Sequence, residues 1–392
     1  MNKIEKIPTL YNRIAEIIEQ ARTRVATAVN LTMVYSYFEI GRYIVEDEQQ
    51  GEQRAEYGKS VLKELSARLT ERFGEGYSYP NLKNIRQFYL LYEERAKRLH
   101  TVYPFRNSQK RILQTVSKEL QTSENKQIEK HETLSRKSQI GSTVFSQFTL
   151  SWSHYRVLMR IENPAERNFY EIEATQQNWS VRQLQKQHAS SLYERLAIGK
   201  NKEELMRLAN EGQIIEKPED ILKNPINLGF LGLKEQTDYT ETMLEQRILS
   251  NLQDFLLEMG KGFLFEARQK RFTFDEDNFY VDLVLYNRLL RSYVLIDLKI
   301  DKLQHQDLGQ MQMYVNYYDR YVKQDFENPT IGIVLCKTAN QLLVELTLPE
   351  NSNVYAAQYA LYLPEKTVLQ QKLNEWTEEF DNEIELKKIE NQ

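Results

Sequence analysis

The sequence is poor in the residues from which several kinds of site are built. Its one cysteine, Cys336, cannot form an internal disulfide, so a reducing compartment such as the cytoplasm fits best. Cys336 closes the apolar run 331–335, which favours a buried strand thiol over a nucleophile. The five histidines show no metal-ligand spacing. No segment approaches the roughly 18 consecutive apolar residues of a membrane helix, and residues 1–6 lead into no signal-type apolar core. We expect a cytoplasmic protein that is neither secreted nor membrane-spanning.

The chain also lacks the positive charge typical of nucleic-acid-binding domains. Lys and Arg number 52 against 56 Asp and Glu, which gives a net charge of −4. The balance is uneven, because residues 97–137 carry a local positive surplus. The polar composition of that stretch favours a solvated linker over a binding patch.

The 392 residues and 41 % hydrophobic content suffice for two or three packed domains. Helical spacing of apolar residues predicts a mostly helical domain over 1–200, with a linker or insertion at 106–146. Prolines in 201–239 predict a connector. Residues 240–366 form the next domain, and 367–392 a charged tail. The predicted fold class is therefore multidomain α+β.

Residues 240–366 alternate between helical and extended patterns. An apolar stripe from Leu244 to Met259 predicts a helix that stops at Gly260. The order of the elements beyond this glycine indicates an α/β unit with a mixed sheet. Five strands and one helix are predicted there: strands Phe263–Phe274, Phe279–Tyr286, Tyr293–Ile300, Thr330–Cys336 and Tyr359–Leu363, and helix Asp307–Tyr321.

Two of these strands carry charged residues among apolar ones. Because side chains alternate along a strand, Asp297 and Lys299 share one face of Tyr293–Ile300, while the other face is wholly apolar. Pairing about a turn near 287–291 brings Asp282 roughly opposite Asp297. Two carboxylates so close repel unless a cation lies between them, and oxygen ligands suit Mg²⁺ or Mn²⁺.

This grouping predicts hydrolysis of a phosphodiester. A metal held by Asp282 and Asp297 would polarise a phosphoryl oxygen and activate water, with Lys299 neutralising the developing charge. An Asp-x-Lys by itself is better explained as a structural ion pair. The combination of an acid on one strand, Asp-x-Lys on its hairpin partner, and helices before and after is more specific.

The acid on one strand and the Asp-x-Lys on the next resemble the active-site motif of the PD-(D/E)XK nuclease superfamily, and the wider sequence resembles its YhcG-like family. The resemblance rests on FYVDLVLYNRLLRSYVLIDLKI (279–300), DLGQMQMYVNYYD (307–319), and stretches at 54–74, 150–185 and 217–225. It covers nearly the whole chain outside 106–146. It implies a restriction-endonuclease-like C-terminal domain, and an N-terminal helical, winged-helix-like domain that binds DNA or a partner.

The resemblance assigns the metal ligands Asp282 and Asp297 and the catalytic Lys299. Asp297 stands where the family usually has Glu, which leaves the metal geometry open. Gln310 matches a position beside the active site in related nucleases, or is a solvent-facing glutamine. Glu245 matches an acid that some members add to the metal site, although an exposed helix acid is the simpler interpretation.

Basic residues could contact phosphates. Arg268, on the first strand beside Gln269, could do so or form a salt bridge with Glu266. In the helical half the candidates are Lys83, Arg86, Arg156, Arg160, Arg182 and Lys186, although most of them are better explained as solvated surface charges.

The leading hypothesis is a Mg²⁺-dependent DNA endonuclease in bacterial defence or DNA processing. A homodimer would supply two sites for opposite strands. The alternatives are a non-catalytic nucleic-acid-binding subunit, a scaffold within a restriction-modification complex, and a nuclease that acts on RNA.

Overall fold

The chain divides between Arg167 and Asn168 into two compact units in a computed structural model. The structure describes residues 19, 27–48, 55–100, 148–198, 200–223, 225–233, 239–274, 277–349, 351–371 and 373. The predicted insertion at 106–146 and most of the tail at 367–392 lie outside these residues. Within them, no helix is long and apolar enough to cross a membrane.

The described part of the first unit is helical, as predicted. Its helices are α1 (27–48), α2 (Ala55–Phe73), α3 (Tyr79–His100) and α4 (Trp152–Leu158), with a 3-10 turn between α2 and α3. Gly41 lets α1 approach α3, because a Cβ at this position would lie 2.5 Å from the carbonyl oxygen of Ile85. Aromatic rings close the core, with Phe88 within 5.5 Å of the Phe148 and Tyr155 centroids. The winged-helix likeness stays a prediction.

Four short helices follow α4 in the sequence and precede the sheet. They are α5 (Pro164–Gln176), α6 (Val181–Ala189), α7 (Leu192–Ala197) and α8 (Lys202–Glu211). The Asn163 side chain accepts hydrogen bonds from the first free N–H groups of α5 and so caps the start of this helix. Ser191, whose φ is 49°, separates α6 from α7. Helix α8 occupies part of the predicted connector.

The second unit is built on a six-stranded mixed sheet. Its order is β1-β6-β5-β4-β3-β2, with β2, β3 and β4 antiparallel and the remaining pairs parallel. The strands are β1 (Ile226–Asn227), β2 (Phe263–Phe274), β3 (Asp277–Asn287), β4 (Ser292–Leu298), β5 (Ile331–Cys336) and β6 (Val354–Ala360). The helices are α9 (Glu241–Ser250), α10 (Leu252–Met259), α11 (His305–Tyr321) and α12 (Gln341–Thr347), and residues 366–371 are also helical.

Each face of this sheet packs a separate apolar core. One core joins Val294, Ile296 and Leu298 of β4 to α9 and α10. The other joins Leu295 to Met311 and the rest of α11. The predicted alternation along β4 is therefore confirmed, and Cys336 is buried in β5.

Other predicted elements are displaced. The last strand is Val354–Ala360 rather than Tyr359–Leu363, and the stripe from Leu244 to Met259 forms two helices that meet at Asn251. Alternation along β3 fails across Asp282, because Val281 and Val284 pack in the same core. The partner strand β2 is irregular here, with a register shift between Phe265 and Ala267 and a left-handed residue at 269.

A buried ion pair fixes α7 to α10. The fully buried Arg195 guanidinium donates to the Glu258 carboxylate at 2.5 and 3.1 Å and to the Pro225 carbonyl. The N–H of Asn227 donates to the same carboxylate, and Lys223 donates to the Glu258 carbonyl. Burial raises the pKa of Glu258, but these cations outweigh it and hold the pKa below its ordinary value. The short helices are thereby tied to the sheet domain.

Candidate active site

The three residues predicted to carry the chemistry meet where the pairing of β3 with β4 ends, at the last residues of β4 and the middle of β3. The pairing of β3 with β4 reaches Leu283 opposite Ile296, so Asp282 and Asp297 occupy the next positions. Here the strands begin to separate, and the Leu298 N–H donates to Asp282 Oδ2 at 2.8 Å. Lys299 follows directly on the last residue of β4, and its N–H still bonds to β5.

Asp297 and Lys299 form an ion pair within a largely buried setting. Asp297 is 3 % exposed, and Lys299 Nζ lies 2.9 Å from its Oδ2. No donor among the described residues meets that oxygen with hydrogen-bond geometry. Burial raises the pKa of Asp297 to about 6, and the neighbouring Asp282 adds to the rise while Lys299 opposes it. The site therefore holds a carboxylate that the protein alone solvates incompletely.

Lys299 remains cationic in these surroundings. Burial lowers the pKa of Lys299, but Asp297 and the more distant carboxylates of Glu241 and Asp307 outweigh it and leave the pKa above its ordinary value. Glu241, in the first turn of α9, lies 4.0 Å from Lys299 Nζ. Glu241 was not among the residues predicted from the sequence, although it stands one helical turn before Glu245.

Glu245 is buried in the structure, so its interpretation as an exposed helix acid was wrong. It is 7 % exposed, and its Oε2 accepts a 2.8 Å hydrogen bond from the Gln269 amide. The same amide nitrogen donates to Asp282 Oδ1 at 2.9 Å. Burial raises the pKa of Glu245, Asp282 adds to the rise, and the Gln269 bond and the Arg268 charge oppose it.

Gln310 reaches the same region through Tyr314, one turn further along α11. The Gln310 amide donates to the Tyr314 hydroxyl, so Gln310 is not simply a solvated glutamine. Burial raises the pKa of Tyr314, the bond from Gln310 opposes the rise, and the Asp297 and Asp282 charges add to it. The spacing of Gln310 and Tyr314 on one helix face could have revealed this pair from the sequence.

The basic residues predicted to contact phosphates differ in whether they already form salt bridges within the protein. Arg268 is exposed and, within the described residues, forms no salt bridge with Glu266. In the helical half, Arg86 is paired with Glu48, and Lys186 with Asp254. These last two cations are thus partly neutralised before any substrate arrives.

The donor set of the site fits a divalent cation of the Mg²⁺ type. The described residues contain no ready group of three or more His, Cys, Asp or Glu ligands. Mg²⁺ does not need one, because it is commonly held by one or two carboxylates and completes its shell with water and phosphate oxygens. Asp282 and Asp297 supply two carboxylates, and the buried Asp297 Oδ2, which contacts the Lys299 ammonium without hydrogen-bond geometry, is the kind of oxygen that a second cation would also stabilise.

Comparison with known proteins assigns both parts of the chain to the family that the sequence resembles. Residues 13–195 match the model of the DUF1016 N-terminal domain, and residues 219–374 match the YhcG PDDEXK nuclease domain. The chain is 36 % identical to "Putative nuclease YhcG" of Escherichia coli (strain K12) over 93 % of its own length and 92 % of that protein.

A solved structure, the crystal structure of a repair endonuclease from Pyrococcus abyssi, is also similar. The likeness covers 32 % of this chain and about half (49 %) of that one, with 18 % identity and a TM-score of 0.22. The family assignment rests instead on the sequence matches, which span both parts of the chain. The chain belongs to the YhcG family, and its C-terminal part is a nuclease domain of the PDDEXK type.

Proposed function

We propose that this protein is a divalent-metal-dependent endonuclease that hydrolyses phosphodiester bonds in DNA. The observation that carries the proposal is the meeting of Asp282, Asp297 and Lys299 where β4 ends beside the middle of β3. Asp282 and Asp297 are the proposed metal ligands, and Mg²⁺ or Mn²⁺ the proposed ion. Glu245 is a third candidate ligand, since the Gln269 amide bonds to both Glu245 and Asp282.

Charge gives a physical reason for the metal dependence. Two carboxylates and one ammonium leave these three groups with a net charge of −1, which repels an approaching phosphate. When bound, a divalent ion reverses that sign, polarises the phosphoryl oxygen and lowers the pKa of its water. The chain's own residues hold that position and exclude water from one side of it, because Asp297 is almost completely buried.

Lys299 supplies a fixed positive charge beside the reacting phosphate. Its raised pKa keeps it protonated at neutral pH, and its pairing with Asp297 fixes where the ammonium lies. A cation held in place before the reaction stabilises charge that develops only in the transition state. Gln310 and Tyr314 are proposed to border the same pocket from α11.

Substrate contacts are proposed on the exposed part of β2. Arg268, Lys270 and Arg271 flank Gln269 on this edge strand, and all three are exposed. Cations beside the site can bind the phosphates on either side of the cleaved bond. We further propose a cytoplasmic homodimer that acts in defence or in DNA processing, with restriction-modification proteins as candidate partners.

A cleavage panel tests the proposed function. Purified full-length protein is incubated with plasmid, linear, branched and single-stranded DNA and with RNA, in Mg²⁺, in Mn²⁺ or in EDTA. We expect metal-dependent cutting of DNA that Asp282→Ala and Lys299→Ala abolish. Cutting that survives both substitutions would refute this site. Preferential cutting of RNA would refute the DNA assignment. Binding without cutting would support a non-catalytic subunit.

A further inference from the structure

Gln269 has a backbone conformation that is unusual for a residue in a strand. Its φ is 43°, in the left-handed region that residues other than glycine rarely adopt. The β2–β3 register places it opposite Asp282, between the pairs Arg268–Leu283 and Lys270–Val281. Strained backbone of this kind persists only where the surroundings fix it, and it is concentrated at functional sites.

The Gln269 side chain joins two carboxylates that come from different elements. Its amide nitrogen donates at 2.8 Å to Glu245 on α9 and at 2.9 Å to Asp282 on β3. In the described part of the chain, Gln269 is the one hydrogen-bond donor to the Glu245 carboxylate. Asp282 is also held by the Leu298 N–H, whereas Glu245 has no such second anchor among the described residues.

An amide suits this position better than a cationic side chain would. Two adjacent carboxylates repel each other, and the two N–H bonds of one amide offset that repulsion while adding no charge. A lysine or arginine in the same place would form a permanent ion pair with both acids and would compete with a metal. The neutral amide keeps the acids together and leaves their remaining lone pairs available.

We propose that Gln269 is a positioning residue that holds Glu245 beside Asp282, so that a divalent cation bound at the site meets both carboxylates. The inference rests on the proposed function, because it requires a cation held by Asp282. Gln269 itself acts through the acids and does not touch the metal. A purely structural role would lower stability without a specific change in metal affinity.

Calorimetric titration with Mn²⁺ of the full-length protein tests this role without depending on cleavage. Gln269→Met keeps the side-chain length and removes the donor. Gln269→Asn keeps an amide and suits the left-handed backbone, but is one methylene too short to bridge the acids. Loss of an outer-shell partner typically weakens metal binding about 10- to 100-fold, and we expect that loss in both variants. Gln358→Met, at an exposed glutamine of β6, is the matched control and should bind Mn²⁺ like the wild type.

A double-mutant cycle separates positioning from general damage. If Gln269 acts through Glu245, adding Gln269→Met to Glu245→Gln should weaken Mn²⁺ binding no further than Glu245→Gln alone. Fully additive losses would overturn the proposal, as would wild-type affinity in both single Gln269 variants. A wild-type protein that binds no Mn²⁺ would refute the metal part of the proposed function and this inference together. Normal Mn²⁺ binding that is insensitive to Gln269 would refute this inference alone.

Discussion

Asp297 is expected to destabilise the metal-free protein, so Asp297→Asn should make it more stable. The rise of the Asp297 pKa from its ordinary 3.8 to about 6 means that the folded state binds the proton more tightly than the unfolded state. Stability therefore falls as the pH rises from about 4 to about 6, and the full penalty is present above pH 6. The shift corresponds to about 3 kcal/mol.

The attraction of Lys299 is already contained in that value. The shifted pKa of Asp297 reflects the free-energy difference between its ionised form, which is paired with Lys299, and its neutral form, which has no ion pair. Asparagine mimics the neutral acid, so the expected gain in the free energy of unfolding at pH 8 is about 3 kcal/mol. The remaining cost of burying the Asp297 charge is offset only when a metal cation is bound. Functional residues commonly lower the stability of a protein in this way.

Urea unfolding in EDTA at pH 4 and pH 8 measures this effect. The variant should be more stable than the wild type at pH 8 and nearly equal to it at pH 4. Addition of Mg²⁺ should stabilise the wild type far more than the variant, because binding to the folded state alone raises its stability. An Asp297→Asn protein that is less stable than the wild type at pH 8 in EDTA would refute the reasoning.

Three further substitutions probe the buried network, the chemistry and the substrate surface. Glu258→Gln leaves a buried guanidinium without its counter-charge and should cost about 3–5 kcal/mol in urea unfolding, whereas exposed Glu216→Gln should have little effect; equal losses would contradict this. Lys299→Met should slow single-turnover cleavage about 10²- to 10³-fold, and a rate close to wild type would remove Lys299 from the mechanism. Arg271→Ala should reduce the slope of log K against log salt for duplex DNA by about 0.9, with Arg320→Ala as the control, and an unchanged slope would exclude this phosphate contact.

The centre of the sheet and the acid–lysine group were predictable because they depend on local patterns. Period-two alternation placed Asp297 and Lys299 on the face of β4 opposite an apolar one, and a short turn fixed the register with Asp282. The bounds of β2 were predicted to the residue, since a run that begins and ends with phenylalanines lies between Gly262 and the acidic residues 275–277. Such features require only neighbours along the chain or across one hairpin.

The remaining features depend on contacts between distant segments. Glu245 looks like any exposed acid in an amphipathic helix until β2 brings Gln269 over it. The left-handed backbone at Gln269 has no sequence signal, because glutamine does not favour it. The pairing of Arg195 with Glu258 spans 63 residues, so no local pattern could show that α7 packs on α10. The environments of these residues are set by tertiary packing rather than by local sequence preferences.

The most direct test is to locate the metal itself. In crystals of the full-length protein grown with Mn²⁺, an anomalous difference map reports the ion independently of any activity. We expect a peak at coordination distance from the carboxylates of both Asp282 and Asp297. A map with no peak there, or an ion bound only by other residues, would contradict the proposed metal site.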